Sequence, residues 1–89
     1  MNEESPIQIA VLDRGFVYVG RCRIDGDWLI ITSAMNIRHW GTTRGLGELV
    51  NGPTRNTRLD AAGTVRAPLR AVIHLLDAEE GAWAAKLAS

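Results

Sequence analysis

The chain has 89 residues, of which 46% are hydrophobic and 22% charged, and its formal net charge is zero. The hydrophobic fraction excludes a disordered chain, and the length gives one small domain whose limited core oligomerisation would help to stabilise. No apolar run is long enough to span a bilayer, the first residues lack the basic character of a signal peptide, and one cysteine cannot form an internal disulfide. We therefore expect a cytoplasmic protein with a flexible N-terminus over residues 1–6 and a single β-rich domain over residues 7–89.

Alternating apolar residues predict antiparallel strands in the first part of the chain. Segments 7–12, 16–24 and 28–32 have the composition and period of strands. The Arg-Gly sequence at residues 14–15 predicts a turn between the first two strands. The Asp-Gly-Asp sequence at residues 25–27 predicts a tight hairpin, because Asp-Gly tolerates the positive φ values that such turns require.

The pattern changes after the third strand. Residues 33–40 are predicted to continue that strand past a kink, and residues 46–50 have apolar side chains at helical spacing, which predicts a short helix. Thr42 or Thr43 is expected at its N-cap, and the Asn-Gly-Pro sequence at residues 51–53 is expected to end it.

The remaining strands are predicted in the second half of the chain. We expect an irregular loop over residues 53–63, an edge strand over 64–68 and a last core strand over 69–76. With a bend at Gly20, these elements predict a mainly β fold with a minor α component. It is a small strongly bent antiparallel sheet, or a partly open SH3-like or Sm-like barrel, with a short helix and a C-terminal helix. The exposed edges of such a sheet favour a homo-oligomer.

A capping pattern predicts the C-terminal helix. Asp77 followed three residues later by Glu80 resembles a capping box, and Trp83 and Leu87 then fall on one face of the helix.

Charge is distributed unevenly along the chain. Residues 38–70 contain six arginines and two acidic residues, whereas the segments on either side carry more acidic than basic residues. The planar guanidinium group of arginine pairs well with phosphate and carboxylate groups. The zero net charge disfavours a nucleic-acid-binding protein, but the basic middle segment favours a local surface for an anionic partner.

Residues 38–54, with the sequence RHWGTTRGLGELVNGPT, form the strongest candidate for a binding loop. Backbone N–H groups exposed by its glycines, threonine hydroxyls, a nearby helix start and arginine side chains predict a generic anion site, and Trp40 can stack on a base or a peptide side chain. In the opposing interpretation, Trp40 fills the core and the loop is only solvated. The spacing of nucleotide-hydrolase phosphate loops and of dinucleotide-binding loops is absent. The candidate ligand-binding residues are Arg38, His39, Trp40, Thr42, Thr43, Arg44, Gly45, Arg55 and Arg58.

The other reactive side chains do not predict catalysis. Cys22 is predicted to be a buried structural thiol, and His74, in an apolar strand, a hydrogen-bonded core or interface histidine. His39 alone forms neither a metal site nor a catalytic triad, and no pair of carboxylates indicates an acid-base role. We therefore predict a protein that is not an enzyme and has no catalytic residues, metal site or cofactor.

Four short motifs are spread along the chain: GFVYVG at residues 15–20, RHWG at 38–41, GLGEL at 45–49 and AVIHLLD at 71–77. Together they resemble a family of small phage and prophage proteins of uncharacterised function. The resemblance covers nearly the whole chain after residue 6. It implies a viral origin, hence a location in the host cell cytoplasm, and a binding role.

Three classes of function are consistent with these features. The first is a small phage-type binding protein that sequesters a small anionic ligand such as a nucleotide, or blocks a host protein, including in counter-defence, through the Arg-, Gly- and Thr-rich loop. The alternative is a small β-barrel nucleic-acid-binding module in which the basic segment contacts phosphates and Trp40 or Tyr18 stacks on a base. The second alternative is a structural virion or assembly protein. No membrane partner is predicted.

Overall fold

A computed structural model describes residues 5–87, so that residues 1–4 of the predicted flexible N-terminus lie outside the described residues. It contains one antiparallel sheet of five strands in the order β4-β3-β2-β1-β5. The elements are β1 (Ile7–Leu12), β2 (Val17–Asp25), β3 (Trp28–His39), β4 (Arg58–Pro68), β5 (Val72–Asp77) and the helix α1 (Glu80–Leu87), with 3-10 turns at Asp13–Gly15, Leu46–Asn51 and Leu69–Ala71. The strands β4 and β5 form the two edges of the sheet, which is therefore open. The predicted mainly β fold with a C-terminal helix is confirmed.

Local sequence signals account for the first three strands. The hairpin predicted at residues 25–27 joins β2 to β3, and Gly26 has a φ of +62°. The turn at residues 14–15 is also present, because Arg14 and Gly15 both adopt positive φ values within a 3-10 turn. The three strands consequently form a continuous meander.

Irregularities in β2 and β3 bend the sheet. The pairing between these strands shifts register at Gly20. A Cβ atom at Gly20 would lie 2.6 Å from the Ile31 side chain, so this close approach of the strands requires glycine. Ser33 has a φ of +51° and forms the kink past which β3 continues. Both the bend at Gly20 and the kinked extension of the third strand are confirmed.

The helix α1 and the 3-10 turn at Leu46–Asn51 cover one face of the sheet. Trp83 and Leu87 are buried against this face, as their shared helix position predicts. The Trp83 indole N–H donates a hydrogen bond to the Leu49 carbonyl oxygen at 2.8 Å, which fixes the helix against the turn. The buried side chains of this first core are Ile7, Ile9, Val17, Val19, Ile37, Leu49, Trp83 and Leu87.

The opposite face of the sheet forms a second core because the bent sheet folds over it. Its buried side chains are Ala10, Leu12, Cys22, Leu29, Ile31, Ala34 and Ala67. Val65 of β4 and Leu75 of β5 pack against the same cluster, so both edge strands approach one core without pairing with each other. This arrangement gives the sheet its partly open, barrel-like curvature.

The strand predictions for the second half of the chain are partly wrong. The sequence predicts a loop over residues 53–63, but β4 begins at Arg58 and pairs with β3, with Leu59 opposite Ile37. This pairing outweighs the weak strand propensity of the Ala-Ala-Gly sequence that follows. The sequence also predicts a core strand over residues 69–76, whereas its first three residues form a 3-10 turn and β5 is an edge strand.

Both predicted helix N-caps are wrong, whereas the short helical segment ends at Asn51 and Gly52 as predicted. Neither Thr42 nor Thr43 caps the 3-10 turn after them, because Gly45 occupies the N-cap position and no side chain caps it. Asp77 is the last residue of β5 and accepts a hydrogen bond from the Gln8 side chain at 2.8 Å. Its carboxylate is therefore engaged by a neighbouring strand instead of by the helix start.

Candidate functional site

Two open depressions lie side by side where β3 ends and β4 begins. Their volumes are about 390 Å³ and 340 Å³, and Arg38 and His39 line both of them. The first is also lined by Trp40, Gly41 and Thr42, and the second by Arg58, Leu59 and Asp60. The structure thus brings together most of the predicted binding residues. We call Arg38, His39, Trp40, Thr42 and Arg58 the Trp40 surface.

Trp40 lies on the protein surface and not in the core. Its exposed fraction is 42%, and it belongs to neither core cluster. The opposing interpretation, in which Trp40 fills the core, is therefore wrong. The Thr57 hydroxyl donates a hydrogen bond to the Trp40 carbonyl oxygen at 2.7 Å, which holds the backbone in place while the indole ring stays accessible.

Gly41 fixes the segment that follows Trp40. Its φ is +66°, and a side chain there would collide with the backbone of Asn56. The Thr54 hydroxyl donates a hydrogen bond to the Gly41 carbonyl oxygen at 2.6 Å. The turn that carries the predicted site residue Arg55 is therefore packed beneath the Trp40 surface, although Arg55 lines neither depression.

Asp60 partly neutralises the Trp40 surface. Its carboxylate lies 3.3 Å from the Arg38 guanidinium, and both side chains are more than half exposed. An ion pair this exposed contributes at most about 1 kcal/mol, because water and salt screen it. An external carboxylate or phosphate can therefore compete with Asp60 for Arg38 at little cost.

The predicted residues Thr43, Arg44 and Gly45 lie apart from the Trp40 surface. The backbone N–H groups of Thr43 and Arg44 both donate hydrogen bonds to the same Glu48 carboxylate oxygen, each at 3.1 Å. The Arg44 side chain lines a separate depression with Gly47, Glu48 and Asn51. A carboxylate of the chain itself thus occupies the loop amides that the sequence assigns to an external anion.

Glu48 belongs to the site although its sequence position was not recognised as a signal for it. The signal that could have identified it is an acidic residue in the first turn of a helix that follows a glycine-rich loop, because such a carboxylate readily accepts hydrogen bonds from loop amides. The contribution of Asp60 could not be found in this way, since its contact with Arg38 depends on the β3–β4 pairing.

Cys22 is buried, as predicted, whereas His74 is not in the core. Burial raises the pKa of the Cys22 thiol to about 11, partly offset by a backbone hydrogen bond of Gln8. A thiol with this pKa is protonated and unreactive near neutral pH. His74 is exposed on the edge strand β5, so the core alternative for this residue is wrong.

The Trp40 surface offers hydrogen-bond donors and an aromatic face. The guanidinium groups of Arg38 and Arg58 offer planar hydrogen-bond donors, and Trp40 offers an exposed aromatic face. Within residues 5–87, no group of three or more histidine, cysteine or acidic side chains is arranged to hold a metal ion. None of the helices described is long and apolar enough to cross a membrane.

No family model, curated protein or solved structure matches this chain. The resemblance to small phage proteins therefore stays a prediction, and so do the viral origin and the binding role that it implies.

Proposed function

We propose that the protein is a small binding protein that acts through contact and not catalysis, by docking the Trp40 surface on an acidic surface of a partner protein and blocking it. The observation that carries this proposal is the exposure of Trp40 beside Arg38. Tryptophan and arginine are the residues that most often dominate the binding energy of protein interfaces.

The shape of the site favours a protein partner over a sequestered nucleotide. Small-molecule sites are usually concave and bury most of the ligand surface. The two depressions that share Arg38 and His39 are instead open to solvent. The loop amides of Thr43 and Arg44, which would otherwise bind a phosphate, already bind Glu48. A broad contact therefore suits the Trp40 surface better than an enclosed ligand does.

The charge of the site favours a protein over a nucleic acid. Asp60 lies against Arg38, and the chain as a whole carries no net charge. Single-stranded nucleic-acid sites usually combine several aromatic platforms with a continuous basic groove. The Trp40 surface has one exposed aromatic residue. If the chain has the viral origin that its motifs imply, the blocked partner is a host protein, and counter-defence is one such role.

Native mass spectrometry of the protein purified from cells tests this proposal. We expect a complex with a protein partner that survives purification, and no nucleotide released on denaturation. A released nucleotide would overturn the proposal in favour of sequestration. A complex with nucleic acid, losing affinity steeply as salt rises because phosphate contacts release counterions, would overturn it in favour of the nucleic-acid-binding alternative.

A further inference from the structure

A free strand edge borders the Trp40 surface. β4 lies at the edge of the sheet, and among the strands of the described chain it pairs only with β3. The backbone N–H and C=O groups on its outer side therefore have no strand partner. Residues 60–64 are all exposed, so solvent reaches this side. Arg58, the first residue of β4, lines one depression of the Trp40 surface, so a segment bound there continues along the free edge.

The first residues of β4 form a regular edge. Residues 59–61 lie opposite residues 35–37 of β3 in consecutive pairs. The register shifts beyond Ala61, where Gly63 has a φ of +72°. Irregularities of this kind interrupt the pairing of a further strand. An added strand therefore fits beside residues 58–61, the part of the edge nearest to the Trp40 surface.

The charges at this edge favour an acidic strand. Arg58 is exposed and, in the part of the chain that the structure describes, forms no salt bridge. Arg38, in the same depression, is held only by the exposed carboxylate of Asp60. Opposite charges on neighbouring strands stabilise their pairing, and carboxylates accept hydrogen bonds from guanidinium groups. A strand that carries carboxylates therefore gains a contact with Arg58 that a neutral or basic strand lacks.

The second free edge of the sheet has a different charge. β5 pairs only with β1 among the described strands, so its outer side also lacks a strand partner. Residues 72–77 contain no arginine or lysine, and their one acidic side chain is Asp77. An acidic strand is therefore disfavoured at β5. Charge thus distinguishes two edges that offer the same kinds of backbone groups.

We propose that the Trp40 surface takes an extended acidic segment of its protein partner, and that this segment pairs with residues 58–61 of β4 as an additional strand. The inference rests on the proposed function of the Trp40 surface and names the kind of segment that it binds. Backbone hydrogen bonds to the free edge hold the segment in an extended conformation. Arg58 and Arg38 select acidic side chains, and Trp40 lies where the segment leaves the edge.

A short, end-blocked peptide of alternating valine and glutamate tests the proposal on the full chain. Amide hydrogen exchange followed by NMR reports which backbone N–H groups the peptide covers. Few hydrogen bonds and one exposed ion pair form, so we expect a dissociation constant of about 1 mM. At a peptide concentration equal to that constant, exchange is expected to slow about twofold for the amides of residues 58–61 that face away from β3. The amides of residues 72–77 in β5 are expected to exchange at an unchanged rate.

A matched peptide and a matched pair of variants test the role of charge. With lysine in place of glutamate, the peptide is expected to leave the exchange of the β4 amides unchanged. Arg58→Ala is expected to raise the dissociation constant of the glutamate peptide about two- to fivefold, as for an exposed ion pair. Arg70→Ala removes another exposed arginine, from the 3-10 turn after β4, and is expected to bind the peptide like the unaltered protein. The NMR spectrum of the amides shows whether each variant is folded.

The proposal is overturned by unchanged exchange in β4 at about 5 mM glutamate peptide, by equal slowing in β4 and β5, by equal slowing with the lysine peptide, or by equal weakening in the two arginine variants. Slow exchange of the outer β4 amides in the protein alone, with dimers in analytical ultracentrifugation, would also overturn it, because a second copy would then occupy the edge. The proposed function is tested separately, since capture of a protein partner that depends on Trp40 requires no pairing at β4.

Discussion

Replacing Trp83 by alanine is expected to remove much of the stability of the domain. The side chain is fully buried in the first core, so truncation loses its apolar contacts and leaves a cavity, at a cost of about 3–5 kcal/mol. It also removes the indole donor to the Leu49 carbonyl, which adds about 1 kcal/mol. The total free energy of unfolding expected for a chain of this length is about 5–13 kcal/mol. Trp83→Ala therefore unfolds at a much lower temperature and urea concentration.

Trp40→Ala is the matched control for Trp83→Ala, because it truncates the same type of side chain at a position that belongs to neither core. Its truncation is expected to lower the free energy of unfolding by less than about 1 kcal/mol. Thermal and urea unfolding followed by circular dichroism measures both variants. Equal losses of stability in the two variants would refute the assignment of Trp83 to the core and Trp40 to the surface.

Three further predictions concern the bend, the thiol and the ion pair. Gly20→Ala places a Cβ atom 2.6 Å from the Ile31 side chain. Urea unfolding should therefore show a loss of about 1–3 kcal/mol in the free energy of unfolding. An unchanged urea midpoint would contradict the tight approach of the strands. Burial raises the pKa of Cys22 from 9.0 to about 11. The free energy of unfolding should therefore fall as the pH rises from 9.0 towards 11, where the unfolded chain ionises first, and Cys22→Ala should remove most of this fall. Asp60→Asn releases Arg38 from its carboxylate; calorimetry with a captured acidic partner should show tighter binding, and weaker binding would indicate that Asp60 positions Arg38.

The parts of the fold that the sequence predicts are those with local signals. The Asp-Gly-Asp turn and the alternating apolar residues define β1, β2 and the first part of β3 without reference to the rest of the chain. The start of β4 has no such signal, because residues 58–63 include Ala-Ala-Gly, and Leu59 is placed by its pairing with Ile37. Its strand conformation depends on β3 and so could not be predicted from the segment itself.

In the candidate site, too, local sequence signals predict some features, whereas contacts between distant residues determine others. The adjacency of Arg38, His39 and Trp40 in the chain predicts that they lie together, as the structure shows. The sequence leaves the exposure of Trp40 open, and the structure shows that it is exposed. Arg44 lies apart from this group because the Glu48 carboxylate of the 3-10 turn accepts hydrogen bonds from the backbone amides of Thr43 and Arg44. A composition of glycine, threonine and arginine predicts an anion site but does not reveal that a carboxylate from the same chain already fills it.

The most direct test of the binding surface is quantitative capture of partner proteins from cell lysate with matched variants. Trp40→Ala is compared with the unaltered protein and with Phe16→Ala, which removes another exposed aromatic side chain from a different turn. If the Trp40 surface binds a partner protein, that protein is retained by the unaltered protein and by Phe16→Ala. Its amount falls at least about tenfold with Trp40→Ala, as expected for an aromatic residue central to an interface. Equal retention of that protein by all three chains would contradict the account.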